Sequence, residues 1–176
     1  MLSQSRKSGD PVGVIAIDVD HFKQFNDNHG HDAGDMVLRA VGVALGQLCD
    51  RDELACRIGG EELMIMLPRA DLATTMARAE AMRAAVEAIS VRYGEKNLPR
   101  VTISLGVAVA PQHGALPQDL MRVADDALYD AKARGRNQVV PADLQRRDDQ
   151  PAGIVSTPAP AEATPAILVA ARIAAE

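Results

Sequence analysis

The sequence predicts an α+β fold, an antiparallel-containing sheet backed by helices, and three observations predict it. Two apolar runs, 12–18 (VGVIAID) and 101–110 (VTISLGVAVA), have the near-continuous pattern of strands covered on both faces. Several stretches between and after them repeat apolar residues at helical spacing. Two short strand-like runs flank the link Gly59-Gly60-Glu61-Glu62, which reads as a hairpin.

Taken in order, strand 12–18 opens the domain. Helical spacing starts at Phe22, where Phe22 and Phe25 are most simply core residues, and Asp20 reads as the cap of that helix. Met36, Val37, Ala40, Val41, Ala44, Leu45 and Leu48 mark an amphipathic helix with Asp32 as its N-cap. The hairpin strands cover 54–58 and 63–67. Leu72, Met76, Ala79, Met82, Val86 and Ile89 mark the next helix, and strand 101–110 follows it. Leu116, Leu120, Val123, Ala124, Ala127, Leu128 and Ala131 mark the last helix, and 138–140 closes the sheet. The resulting order is β-α-α-β-β-α-β-α-β.

Composition narrows the function classes. Of the 176 residues, 47% are hydrophobic and 24% charged, which excludes a disordered chain, a collagen and a coiled-coil rod. Aromatics reach only 2%, with no Trp, so single-stranded nucleic acid has no stacking platform. Nineteen Lys and Arg against 24 Asp and Glu leave a net charge of -5, and no basic patch is ready for a nucleic-acid backbone. An anionic ligand therefore needs a metal or local cations. Cys49 and Cys56 form neither a disulfide framework nor a CxxC site, and read as small apolar residues in a reducing compartment. No apolar run approaches the length of about 18 residues that marks a membrane span, and no signal-like stretch opens the chain. The expectation is a cytoplasmic protein without a membrane segment.

Composition changes near Pro141. Residues 141–176 hold 5 of the 10 prolines and 10 alanines, a mixture that buries too little apolar surface to offset its ordering entropy. The expected organisation is a domain over 1–140 and a disordered Pro/Ala-rich tail over 141–176.

Two sites carry chemistry. Asp18 ends the first strand, at an edge well placed for a hard cation, and Mg²⁺ usually rests on one or two carboxylates plus substrate phosphates. At the hairpin tip, Gly59 and Gly60 let backbone approach a ligand closely, while Glu61 and Glu62 repel each other unless a cation neutralises them. Hairpin tips carry glycine and acids for turn chemistry alone, so GGEE by itself is weak. Joined to the upstream D-V-D, it makes a candidate metal site in which Asp18 and Glu61 converge from neighbouring strands. His29 and His31 form an H-x-H pair for which a ligand role is not favoured.

The runs DVDHFKQFNDNHGHDAGDMVL, RIGGEELMIMLP, TISLGVA and ADDALYDAKARGRNQV together resemble the GGDEF family, the diguanylate cyclases, in order and spacing. The resemblance implies a ferredoxin-like palm of the nucleotide-cyclase type, with a central, mostly antiparallel sheet and helices packed on it. It implies one GTP per domain and a homodimer, transient for this chain, whose facing domains condense two GTP into cyclic di-GMP and two pyrophosphates. Carried over residue by residue, it makes Asp18, the Val19 carbonyl, Glu61 and Glu62 the metal site for Mg²⁺, with Mn²⁺ as an alternative. Glu61 is also the implied proton acceptor, and Lys23 stabilises charge on the phosphates. Asn26 and Asp35 match the guanine readers, Gly59 and Gly60 the substrate-binding turn, and Lys132 and Arg136 the cations on the terminal phosphates. His31 falls in the segment where a glycine and a helix start shape the pocket.

Departures accompany the match. Leu63 stands for the usual Phe, a change expected to cost about a few kcal/mol or less in packing. The window Asp50-Arg51-Asp52-Glu53 has Asp where an inhibitory product site would carry Arg, so that site is expected to be absent. Only 17 residues precede Asp18, and the family's opening element, resembling DxLTGLxNRR, is not among them. The expectation is an enzyme making cyclic di-GMP. The alternative is a catalytically impaired GTP-binding or regulatory interaction module.

Overall fold

A computed structural model describes residues 9–143. Residues 144–176, most of the expected tail, lie outside the described residues. Among those described, seven strands and four helices run in the order β1 (Val12–Val19), α1 (Phe22–His29), α2 (His31–Leu48), β2 (Leu54–Arg57), β3 (Glu62–Pro68), α3 (Leu72–Glu87), β4 (Arg92–Tyr93), β5 (Lys96–Asn97), β6 (Ile103–Ala110), α4 (Pro117–Ala133) and β7 (Val139–Pro141).

The main sheet is ordered β2-β3-β1-β6-β7. Its β2–β3, β3–β1 and β1–β6 pairs are antiparallel and only β6–β7 is parallel, which is the expected mostly antiparallel α+β fold. Strands β1 and β6 lie inside the sheet, and all eight residues of each are buried. That two-sided cover is why both read as unbroken apolar runs. On one face, Ile15, Ile17 and Val19 meet Phe22, Phe25, Val37, Val41, Met82 and their neighbours from α1 to α3. On the other, Val14, Ala16 and Ala108 meet Leu120, Ala124 and Leu128 of α4. Phe22 and Phe25 are core, as expected, with stacked rings 6.5 Å apart.

Capping departs from expectation twice. Helix α2 starts after Gly30, which has φ 84° and makes no side-chain cap, so Asp32 sits in the first turn instead of capping it. Asp20 does not cap α1 either: the preceding residue is His21, at φ 57°, with no side-chain cap bond. Asp20 is buried and accepts hydrogen bonds from Thr102 Oγ1 and Ser104 Oγ, both at 2.7 Å. A buried carboxylate costs too much to leave unpaired, and the hydroxyls of the adjoining strand satisfy it better than a helix end would. Helix α3 is capped by Asp71, which accepts from the Thr74 N–H at 2.8 Å. The hydrogen bonds from Thr74 hold the Asp71 carboxyl below its ordinary range.

The remaining strand limits shift by a residue or two. The 92–97 hairpin carries no signal in the sequence, because two-residue strands leave no alternation to read. Among the described residues no helix is long and apolar enough to cross a membrane.

Candidate active site

The sequence-marked residues collect at one end of the sheet. Strand β1 runs toward that end and finishes at Val19, where antiparallel β3 and β6 begin and β7 starts beside β6. Asp18 lies directly opposite Glu62 in the β1–β3 register, so the two side chains leave the same face of the sheet. The Val19 N–H donates to the Glu61 carbonyl at 3.3 Å, which fixes the backbone of Glu61 against the end of β1. Asp18, Val19, Glu61 and Glu62 thus share one corner.

The turn between β2 and β3 is tight. Ile58 N–H donates to the Glu62 carbonyl at 2.9 Å, and Arg57 Nε donates to the Gly59 and Gly60 carbonyls, each at 3.0 Å. Arg57 therefore stiffens the two-glycine turn from below.

The final turn of α4 covers the same corner. Lys132 Nζ lies 2.8 Å from Asp18 Oδ2, with the carboxylate largely buried. Asp125 lies about two helical turns before it, at the exposed edge of α4. Desolvation by nearby packing, then the charges of Glu62 and Asp126, raise its carboxyl above its ordinary value, against the opposing pull of Lys132. Arg136 follows in the loop after α4, exposed and at φ 64°.

Helices α1 and α2 form the second wall. Lys23 is exposed on α1, and Asn26 follows one turn later. The Asn26 Oδ1 atom is buried and has no hydrogen-bond partner. It presses on Gly34, where an added Cβ would overlap the amide oxygen and stand 3.1 Å from the Phe22 ring. Gly34 therefore lets α2 close on Asn26, and Asp35 follows it, exposed in the first turns of α2. His29 tilts against Phe25 with rings 4.8 Å apart, and His31 starts α2, exposed.

The donor set fits a hard cation. Every candidate ligand is an oxygen, and Asp18 already holds a cation in the form of the Lys132 ammonium. Among the described residues no three His, Cys, Asp or Glu side chains gather closely enough to hold an ion alone.

The acids of the 50–53 window pair with arginines of the same domain. Arg78 of α3 reaches Glu53 at 2.7 Å and Asp50 at 3.5 Å, and Arg69 pairs with Asp52. Three features go beyond what was read from the sequence. Asp20 gives a misleading signal, because a polar residue before a helix usually caps it. Asn137 has a usable one, since Gly and Asn, which flank Arg136, both tolerate left-handed backbone. Asp125 has none.

The Diguanylate cyclase, GGDEF domain family matches residues 1–138. Response regulator PleD of Caulobacter vibrioides is 40% identical over 142 residues, which is 80% of this chain and 31% of PleD. Probable diguanylate cyclase DgcT of Escherichia coli is 40% identical over 135 residues, 76% of this chain and 30% of DgcT. The chain thus spans about a third of the length of these relatives. Among solved structures, the GGDEF domain of DgcB from Caulobacter crescentus in complex with c-di-GMP superposes with TM-score 0.74 at 32% identity, covering 79% of this chain and 82% of that one. The active GGEEF domain of a diguanylate cyclase from Vibrio cholerae gives TM-score 0.73 at 29% identity, covering 80% and 88%. A family match over most of the chain, with the same fold in its solved members, places this protein in the GGDEF family of diguanylate cyclase domains.

Proposed function

We propose that the chain is the catalytic domain of a diguanylate cyclase, in which two facing copies, each holding one GTP, form cyclic di-GMP and two pyrophosphates. The observation that carries the guanine reading is the buried, unpartnered Oδ1 of Asn26. An unsatisfied buried acceptor costs about 1–3 kcal/mol, which a ligand donor would recover once the amide turns away from Gly34. Guanine presents N1–H and a 2-amino group together, and Asp35 beside Asn26 supplies further acceptor oxygens for them. Adenine has no such donor pair.

The roles of the other residues are those the family resemblance implies. Asp18, the Val19 carbonyl, Glu61 and Glu62 would hold Mg²⁺ or Mn²⁺. When bound, the ion offsets triphosphate charge and lowers the pKa of the ribose 3′-hydroxyl. Glu61 takes the proton from that hydroxyl as its oxygen attacks the α-phosphorus of the facing GTP, and pyrophosphate leaves with the bond's electrons. Lys23 steadies charge on the phosphates. Lys132 turns from Asp18 to the terminal phosphates, where Arg136 meets it with a planar fork suited to phosphate oxygens. Gly59 and Gly60 let the hairpin backbone lie close to the nucleotide. The carboxylates of the 50–53 window are paired with Arg69 and Arg78, so no product site is assigned there.

Base choice tests the reading through equilibrium binding. With Mg²⁺ and non-reacting analogues, the protein is expected to prefer the guanosine triphosphate over the adenosine one by at least about tenfold, or ~1.4 kcal/mol. Asn26→Ala should collapse that preference by weakening only the guanine ligand. Equal affinity for both bases in the parent protein would contradict the assignment.

A further inference from the structure

The loop that carries Arg136 is held more firmly than its exposure requires. Gly135, Arg136 and Asn137 have φ values of 113°, 64° and 45°, three consecutive residues in conformations that side chains other than Asn and Asp rarely adopt. Such a path persists only where contacts fix it.

The contacts are there on both sides of Arg136. Its own N–H donates to the Ala131 carbonyl at 3.0 Å. On the other side, every polar group of the Asn137 side chain is used. The Asn137 Oδ1 accepts from Arg83 Nη1 at 2.7 Å, and its Nδ2 donates to Glu87 Oε1 at 2.9 Å. The Asn137 N–H donates to Asp20 Oδ2 at 3.1 Å.

The anchors are themselves held by further bonds. Asp20 is 5% exposed, donates its N–H to the Thr102 carbonyl at 2.9 Å and accepts both hydroxyls from Thr102 and Ser104. Arg83 is bound to Glu80 and Glu87 along α3, both at 2.8 Å. The Arg83 and Asn137 donors keep the Glu87 carboxyl below its ordinary range. Asn137 thus ties one loop to the end of β1 and to α3, while the guanidinium next to it faces solvent.

We propose that Asn137 is a positioning residue, which aims Arg136 at the terminal phosphates by locking their shared loop to Asp20 and to the Arg83–Glu87 pair. The inference rests on the assignment of Arg136 to the phosphates given above. Holding an arginine in its bound direction removes part of the ordering cost of gripping the ligand, so affinity falls when the lock is removed although no ligand contact is deleted. The effect belongs to the triphosphate and not to the base.

Calorimetry on the full chain, with Mg²⁺ and either a non-reacting GTP analogue or GMP, tests it. Arg136→Ala is expected to weaken the triphosphate about tenfold and leave GMP unchanged. Asn137→Gly keeps the left-handed backbone and its N–H but deletes both side-chain links. It should weaken the triphosphate about three- to tenfold, leave GMP unchanged, and add nothing to Arg136→Ala. Arg83→Met, outside the loop, should act in the same direction and guards against a folding defect in the first variant. If Arg136→Ala leaves triphosphate affinity intact, the phosphate assignment falls and the inference with it. If Arg136→Ala weakens binding while Asn137→Gly and Arg83→Met do not, the positioning role alone is overturned. It is likewise overturned if those two variants weaken GMP equally, or if their effects add fully to that of Arg136→Ala.

Discussion

Replacing Glu61 by Gln is expected to leave less than about a tenth of the turnover, a loss above ~1.4 kcal/mol of transition-state stabilisation, while GTP binding weakens far less. The backbone of Glu61 is pinned to the end of β1 by the Val19 N–H, so its side chain starts at the corner that Asp18 occupies. Glutamine keeps the shape and one acceptor oxygen but has neither the charge to bind a hard cation nor the basicity to take a proton. The proposed base readers, Asn26 and Asp35, lie on α1 and α2 and are untouched by the change. Steady-state rates and analogue binding, measured on the same preparation, separate the two effects. A variant with more than a tenth of the parent rate would remove Glu61 from its assigned role.

The second large effect is structural. Gly106 in β6 lies under α4, and a Cβ built there would overlap the Ala124 carbonyl oxygen and the Leu128 amide nitrogen and stand 2.9 Å from the Ala127 carbonyl carbon. All three are helix backbone, so no side-chain rotation relieves the contact. Gly106→Ala must push α4 off the sheet, at a cost of about 3 kcal/mol or more, the upper range for overpacking. Against a total stability of about 5–15 kcal/mol, that lowers the midpoint of denaturation markedly. Because Lys132 rides on the same helix, the displaced α4 also draws its ammonium away from Asp18. Gly42→Ala is the control: an added methyl there meets nothing within 4 Å, and in the interior of α2 it should stabilise by up to ~1 kcal/mol. Equal midpoints for the two variants in chemical denaturation would refute the close packing of α4 on β6.

Much of the fold was legible because burial on both faces writes itself as composition. Strands β1 and β6 are covered by helices above and below, and the long amphipathic α2 repeats its apolar residues toward one face. What stayed hidden was set by partners distant in sequence. The partners of Asp20 lie 82, 84 and 117 residues away, and no local pattern distinguishes a cap from a buried acceptor fed by another strand. The candidate site was legible residue by residue and less so as an arrangement. Asp18 read as a metal ligand and Lys132 as a phosphate cation, and their pairing in the folded chain joins two assignments made for separate reasons. Glu62, opposite Asp18 in register, is the nearer of the two glutamates by strand position, a fact that only the alignment of β1 with β3 reveals.

The most direct measurement is the product formed from GTP and Mg²⁺ by the purified chain, separated by chromatography across a range of protein concentrations. In the proposed reaction each copy would supply half of the reacting pair, and cyclic di-GMP and pyrophosphate should appear in a ratio of one to two. Specific activity should climb with protein concentration as facing pairs become more frequent. A folded protein that binds GTP yet yields no cyclic di-GMP at any concentration would contradict the proposed reaction.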